Sequence, residues 1–436
     1  MRLSYLTILY AAPPPRAWPL GLLPHCGSVS IVRPHHWASG PPLLPDVGVI
    51  GLVPDQWSPL WQPRHHVLRR LAAFFNVVWV NPAPDWPHLV RTRRSPAQEP
   101  AEEGWSVDDA PAWLPTIHRP AKLRTLLRTT RIGRARQRLL KQGARHTVLY
   151  LWRPGFADAL ETPHDFSVYH IDDDYAFDET RVGLTPLEAA TIGRVNQVII
   201  HSPRLMELKG GLNPRTAFVP NGVDYDAYSA PAPEPADLAA IPRPRIGYAG
   251  WIKPQLDWAL LDGVATRCPE MSLIFVGQNK PLELLMADPS YRVLTHRPNV
   301  FFLGVKTTDE LAAYPQHFDV CIMPYRIDPY TDCIYPLKLH EYLASGRPVA
   351  GTPIRSLEDF SGTVTLARTP DEWCAALRQS LAPLANTESE RRRRQQVARE
   401  HEWWKLTGRI ADLIAKGMEH PEAGRIRAWV ADRTSP

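Results

Sequence analysis

Tyr335-Pro-Leu-Lys-Leu-His-Glu-Tyr-Leu-Ala-Ser-Gly-Arg-Pro-Val-Ala-Gly-Thr352 reads as a loop, a helix of two to three turns, a glycine stop and a buried strand. Pro336 suits a first helical turn, where its missing N–H costs nothing. Leu337, Tyr342 and Leu343 supply an apolar face. Gly346 sits where a left-handed C-terminal cap is expected, and Pro348 forbids continuation. Lys338 falls in the first turn, and Glu341 follows one turn later on the same face. A lysine at a helix start opposes the helix dipole, unless an anion is held there. Two readings stand at this point: an anion site with a carboxylate one turn deeper, or an exposed Lys–Glu pair contributing a few tenths of a kcal/mol.

Working outward, the 436 residues are 44% hydrophobic and 22% charged, a composition that favours two globular domains with separate cores. A net charge of +5 is too small to imply nucleic acid, and it suits anionic substrates or an anionic membrane face. The five cysteines are scattered and lack CxxC spacing, which disfavours a disulfide framework or structural zinc and fits a reducing cytoplasm. No apolar run is long enough to span a membrane. Residues 1–45 open with a short apolar run and then lose all periodicity. They read as a disordered extension or the product of a misassigned start.

From Asp46 the pattern becomes regular. Apolar runs at 47–52, 77–80, 148–151, 167–170, 198–201 and 217–219 alternate with helical patterns at 65–75, 120–142, 186–195 and 203–208. Residues 83–118, rich in proline, read as a loop insertion. Prolines and alanines at 228–244 read as a linker. A second alternation follows, with strands at 245–249, 273–276, 300–303, 320–323, 349–351 and 364–367. Helices are expected at 256–265, 308–314 and 370–381. Such alternation predicts an α/β protein of two doubly wound, Rossmann-like domains facing a central cleft. The domain spans are 46–225 and 226–395, followed by an amphipathic segment at 396–416 and a tail at 417–436. The four arginines at 391–394 read as a solvated face or a contact for anionic lipid headgroups.

Several residues near strand ends carry candidate chemistry. Gly247-Tyr-Ala-Gly250-Trp-Ile-Lys253 is a glycine turn between strand and helix, where backbone N–H groups approach a phosphate and Lys253 neutralises it. GxGxxG and GxxxxGK[ST] are both absent, which disfavours a dinucleotide site or P-loop. His170-Ile-Asp172-Asp173-Asp174 follows a strand of the first half, so its carboxylates face the crevice. Asp172 and Asp174 also satisfy the loose DxD pattern for a divalent metal, and a helix cap is the competing reading for any one of them. Trp57, Arg64, His65 and His66 flank the first helix and are placed to contact a polar acceptor.

These residues resemble a known family: the GT-B-fold glycosyltransferases of the large retaining family 4, of bacterial surface-polysaccharide type. Three stretches carry the resemblance: Val219-Pro-Asn-Gly-Val-Asp224, Gly247-Tyr-x-Gly250 with Leu256-Asp257, and Pro336-x-Lys338-x-x-Glu341-Tyr-x-Ala-x-Gly346-x-Pro-Val349. Trp61-Gln-x-Arg-x-His66 and Tyr169-x-x-Asp172-Asp-Asp are secondary matches. The resemblance implies a cytoplasmic enzyme that moves a sugar from a nucleotide diphosphate sugar to a glycan or lipid-linked acceptor, with retention and without a metal or other cofactor. Glu341 would bind the ribose, while Lys338, the backbone near Leu337, Gly250 and Lys253 would hold the diphosphate. His170, Asp172 and Asp173 would lie at the transferred sugar, and the helix near 401–414 would cross back onto the first domain. One departure stands out. Many relatives carry a second glutamate eight residues before Glu341, where this chain has Cys333; Asp332 or Asp328 would have to substitute. The departure motivates an alternative reading, a non-catalytic nucleotide-sugar-binding or scaffold protein.

Overall fold

A computed structural model describes residues 40–57, 61–83, 102–110, 121–175, 183–279 and 281–434. Residues 1–39 and the expectations placed on them lie outside this set. Short apolar runs form strands because most are covered on both faces, as parallel sheets require, while those at 216–218, 300–302 and 364–366 at the sheet edges are only partly buried. The first sheet contains β1 (Val47–Leu52), β2 (Asn76–Val80), β3 (Trp105–Asp108), β4 (His146–Leu151), β5 (Phe166–Ile171), β6 (Gln197–Ile200) and β7 (Thr216–Phe218). All pairings are parallel, in the order β3-β2-β1-β4-β5-β6-β7. The second sheet contains β8 (Arg245–Ala249), β9 (Ser272–Val276), β10 (Val300–Phe302), β11 (Val320–Met323), β12 (Val349–Gly351) and β13 (Val364–Leu366). It is also fully parallel, in the order β10-β9-β8-β11-β12-β13. The direction in which successive strands are added reverses at β1/β4 and β8/β11. Such switch points open a crevice beyond the strands' C-terminal ends.

Three expectations need correction. The region 83–118 is not only a loop, because it contains β3. Asp108 at the end of β3 is buried and accepts from Arg131 and Arg134, so much of the basic content of the Ala121–Lys141 helix serves this carboxylate. Order also begins before Asp46: Leu44 is fully buried and its N–H donates to Phe74 O at 2.8 Å. The stretch 228–244 is packed rather than a free linker. It forms the short helix Ala236–Ala239 and places Leu238 and Ile241 in the second core.

The chain passes between the halves twice. On the way out, Val219-Pro-Asn-Gly-Val-Asp224 leaves β7. On the way back, the Glu388–Glu400 helix, packed on the second half through Ala398, ends at His401. The next helix, Trp403–Gly417, places Trp403, Leu406, Ile410, Ala411, Ile414 and Ala415 in the first half's core. The two passes are hydrogen-bonded to each other, Val223 N–H to His401 O at 2.9 Å and Trp403 N–H to Val223 O at 3.1 Å. Gly222 allows this approach, since a Cβ there would lie 2.8 Å from His401 O and from the Trp403 ring. A further helix, Gly424–Thr434, packs on Trp403–Gly417 and buries Ile426 in the same core.

Candidate active site

In the second half, β8 ends in Gly250 at φ +127°, and a Cβ there would collide with the Lys338 ammonium. The absent side chain therefore makes room for that ammonium over the strand–helix turn. Lys338 Nζ lies 5.2 Å from the Tyr248 ring centroid, and Lys253 Nζ lies 5.7 Å from that of Tyr325. Neither lysine has an ion-pair partner among the described residues. Burial pushes the Lys253 amine down to about 8, the Lys338 charge adds to this, and Asp173 opposes it. Burial also lowers Lys338, with Glu341 opposing. Two largely buried, ion-unpaired ammonium groups thus lie within each other's field, which is unfavourable until an anion joins them.

The Lys338–Ala344 helix is set from the first half. Asn221 of the outgoing pass donates from Nδ2 to Tyr335 O at 2.7 Å, and Leu337 packs against the first half's core. Pro336 and Leu337 carbonyls accept from Leu339 and His340. The N–H groups of Leu337 and Lys338 are left without an acceptor among the described residues. Lys338 and Glu341 form no ion pair with each other and neither is exposed, so the surface-pair reading fails. Burial raises the pKa of Glu341, while Lys338 and a hydrogen bond from the Tyr228 hydroxyl oppose the rise. Tyr228 sits on the Tyr225–Ser229 helix after the outgoing pass. Gln316 holds that segment, donating from Nε2 to Tyr228 O at 3.1 Å and Ala230 O at 2.8 Å.

In the first half, β5 delivers His170 into the interior. Its Nδ1 lies 2.8 Å from Tyr150 Oη, and its ring stacks on Trp152 at 4.1 Å. Burial, together with His201 and Arg64, pushes its pKa well down, so the imidazole is neutral near pH 7. Asp172 receives Arg64 and the Tyr175 hydroxyl, and Arg64 also bonds Asp55. Asp173 accepts from Asp174 N at 2.9 Å and, across the cleft, from Tyr330 Oη at 3.3 Å. Burial and Asp172 raise its pKa, while His201 and Lys253 oppose. Asp174 turns away from this group. It takes Lys209 Nζ at 3.4 Å, and Lys209 in turn sits 2.9 Å from Glu188, in a buried network. Asp172 and Asp174 therefore serve different partners.

The four acceptor candidates divide. Arg64 is brought to Asp172. Trp57 lies in an aromatic cluster with Trp105 at 4.8 Å and Trp79 at 5.2 Å. His65 is buried against Trp79 at 4.6 Å. Its Nδ1 accepts from Gln62 N at 3.1 Å, its Nε2 lies 3.3 Å from Gln56 O, and burial takes its pKa down to about 4. His66 stacks at 4.9 Å on Trp403 of the returning helix. Cys333 is buried among first-half core residues. Asp328 caps its own turn, accepting from Tyr330 N and Thr331 N at 2.9 and 2.8 Å, and Asp332 accepts from Arg355 N at 3.3 Å. Tyr228, Tyr330 and Tyr150 complete the group without any motif to announce them, since each acts across a long sequence separation.

Residues 243–382 match the family described as glycosyl transferases group 1. TuaH of Bacillus subtilis (strain 168), named as a teichuronic acid biosynthesis glycosyltransferase, is 31% identical over 191 residues. That match covers 42% of this chain and 47% of TuaH, about half the length of the curated relative. Among solved structures, sucrose-phosphate synthase from Thermosynechococcus elongatus superposes with a TM-score of 0.61 at 15% identity, covering 85% of this chain and 98% of that one. Anabaena HepE, solved in complex with UDP and glucose, gives 0.60 at 13% identity, covering 85% and 99%. The chain therefore has the two-domain GT-B fold, and its second half matches the group 1 glycosyl transferases.

Proposed function

We propose that the protein is a glycosyltransferase that moves a sugar from a nucleotide diphosphate sugar to a glycan or lipid-linked acceptor in cell-surface polysaccharide synthesis, in the cytoplasm and with retention of configuration. The observation that carries this reading is the pair of ion-unpaired ammonium groups, Lys338 over Gly250 and Lys253 within its field, at the switch point of the second sheet. A diphosphate leaving group accumulates charge in the transition state, and fixed positive groups in a water-poor cleft stabilise it. Glu341, one turn below Lys338 and steadied by Tyr228, is suited to accept from ribose hydroxyls. Asp172, Asp173 and the neutral His170 face the transferred sugar from the first half, with Arg64 fixing Asp172. In this reading the lysines supply the positive charge, and no divalent metal takes part. The UDP-bound HepE fold and the TuaH match support a nucleotide donor and a polysaccharide product.

A thermal-shift screen against nucleotide sugars tests this directly, because a ligand of the native state raises the midpoint by mass action. The expected result is a shift by one donor class, transfer that survives EDTA, and loss of both binding and transfer in Lys338→Ala and Glu341→Ala. Near-wild-type turnover in both variants would sink the assignment. Binding without transfer or donor hydrolysis would replace it with the non-catalytic alternative.

A further inference from the structure

We propose that the outward face of the Ala121–Lys141 helix docks on an anionic lipid bilayer. The helix, AKLRTLLRTTRIGRARQRLLK, holds eight Lys and Arg and no Asp or Glu. Four of its cations are already paired: Arg131, Arg134 and Arg138 gather on Asp108, and Arg128 on Asp158. The outward face is unusual for a solvated one. Positions 123, 126, 130, 133, 137 and 140 follow the 3-4-3-4-3 spacing that lines up one helix stripe. All six are exposed, and they are Leu, Leu, Thr, Gly, Gln and Leu. Not one is charged, in a helix where eight of 21 residues are cationic. Leu126 is 61% exposed, and Leu123 and Leu140 are 38% and 37% exposed, so the stripe puts three leucines on one line of the surface.

Apart from the half-buried Arg136, the cations left over sit at the ends of this stripe. Lys122 and Arg124 flank its start, and Lys141 flanks its end; all are exposed and without an ion pair among the described residues. An uncharged stripe roughly 26 Å long by helix rise, carrying leucines and bracketed by Lys and Arg, matches a helix lying in the plane of an anionic interface. The leucines enter the acyl boundary and the cations meet the headgroups. A nucleic-acid face would instead concentrate cations along the stripe and have no use for leucines. The arginines at 391–394 are less available for this role, because three of the four have partners within the protein. Arg392 and Arg393 pair with Glu388 and Glu390, Arg394 donates to Gly346 O at 2.9 Å, and Arg391 lies against Gly346.

Vesicle co-sedimentation of the full chain tests the proposal, comparing phosphatidylcholine with phosphatidylcholine doped with phosphatidylglycerol. The wild type is expected to pellet with the anionic vesicles only, and less so as salt rises. Leu123→Asp with Leu126→Asp should weaken vesicle binding by about tenfold or more. Lys122→Glu with Arg124→Glu should weaken it by about tenfold and flatten the salt dependence. Both variants should keep the wild-type melting midpoint, since all four side chains are exposed. A wild type that stays in the supernatant, equal binding to neutral vesicles, or binding untouched by either double substitution would overturn the proposal. So would retention on single-stranded RNA that ignores the leucine changes, which would assign the surface to nucleic acid.

Discussion

The two sides of the cleft handle charge in opposite ways. At the end of β5, each ionisable group already has a partner: Asp172 has Arg64 and Tyr175, Asp173 has Tyr330, and His170 has Tyr150. At the end of β8 and the start of the Lys338–Ala344 helix, two ammonium groups have aromatic faces beside them and no carboxylate to pair with. A paired site is built to hold its shape, whereas an unpaired one waits for its counter-ion. On the proposed function the contrast divides the roles: the first half would present a preorganised wall, and the second would take up the anion of the donor.

Substitutions can break this contrast. The largest expected effect is on transfer in Lys338→Ala, a loss of about 100-fold or more, the scale for removing one fixed donor to developing charge. Steady-state kinetics with the donor found by the thermal screen checks it. Next is stability. Arg64→Ala strands Asp172, whose side chain is 4% exposed, and should cost about 3 kcal/mol in urea denaturation. Lys338→Met removes a charge that has no partner, so it should leave the ligand-free protein as stable as wild type or more so. If both substitutions destabilise equally, the two sides are not different in kind. A smaller effect is expected for Tyr228→Phe, which deletes one hydrogen bond to Glu341 and should weaken donor binding about tenfold by calorimetry, with kcat nearly unchanged.

The smallest effect concerns pH and sharpens the comparison from the solvent side. Lys253 is pulled from 10.5 to about 8 by burial and by Lys338. Between those two values the unfolded chain holds a proton that the folded, ligand-free protein has released. Stability of the free protein should therefore rise with pH across that window. Donor affinity should fall over the same window, because the anion needs the charged amine. Denaturation and calorimetry at paired pH values read the opposite slopes, and Lys253→Met should flatten both.

The sequence disclosed what is local. Twelve of the 13 strands stand out as apolar runs between turn signals. The exception, β3, is a four-residue edge strand inside a proline-rich acidic stretch, and its identity depends on pairing with β2. Lys338, Glu341, Gly250 and Lys253 were legible because helix and turn geometry fix their neighbours within a few residues. Tyr228, Tyr330 and the Arg64–Asp172 pair were not, because each joins positions far apart in the chain. Cys333 shows the same limit from the other direction. Eight residues before Glu341 looked like a place for a donor contact, yet the fold turns that side chain into the first half's core. Nor does spacing distinguish Asp174, locked on Lys209, from its two neighbours at the cleft.

The double passage between the halves constrains how such a protein can be taken apart. A gene fragment ending at Asp224 would leave the first half without Trp403, Leu406, Ile410 and Ile414, a side of its core that only the far end of the chain provides. Exchange of donor-binding halves between related genes by a single crossover in the outgoing segment would join a core to a foreign returning helix. Viable chimaeras therefore need two crossovers, one on each side of the hydrogen-bonded pair Val223 and His401, so that each half inherits its own closing helix.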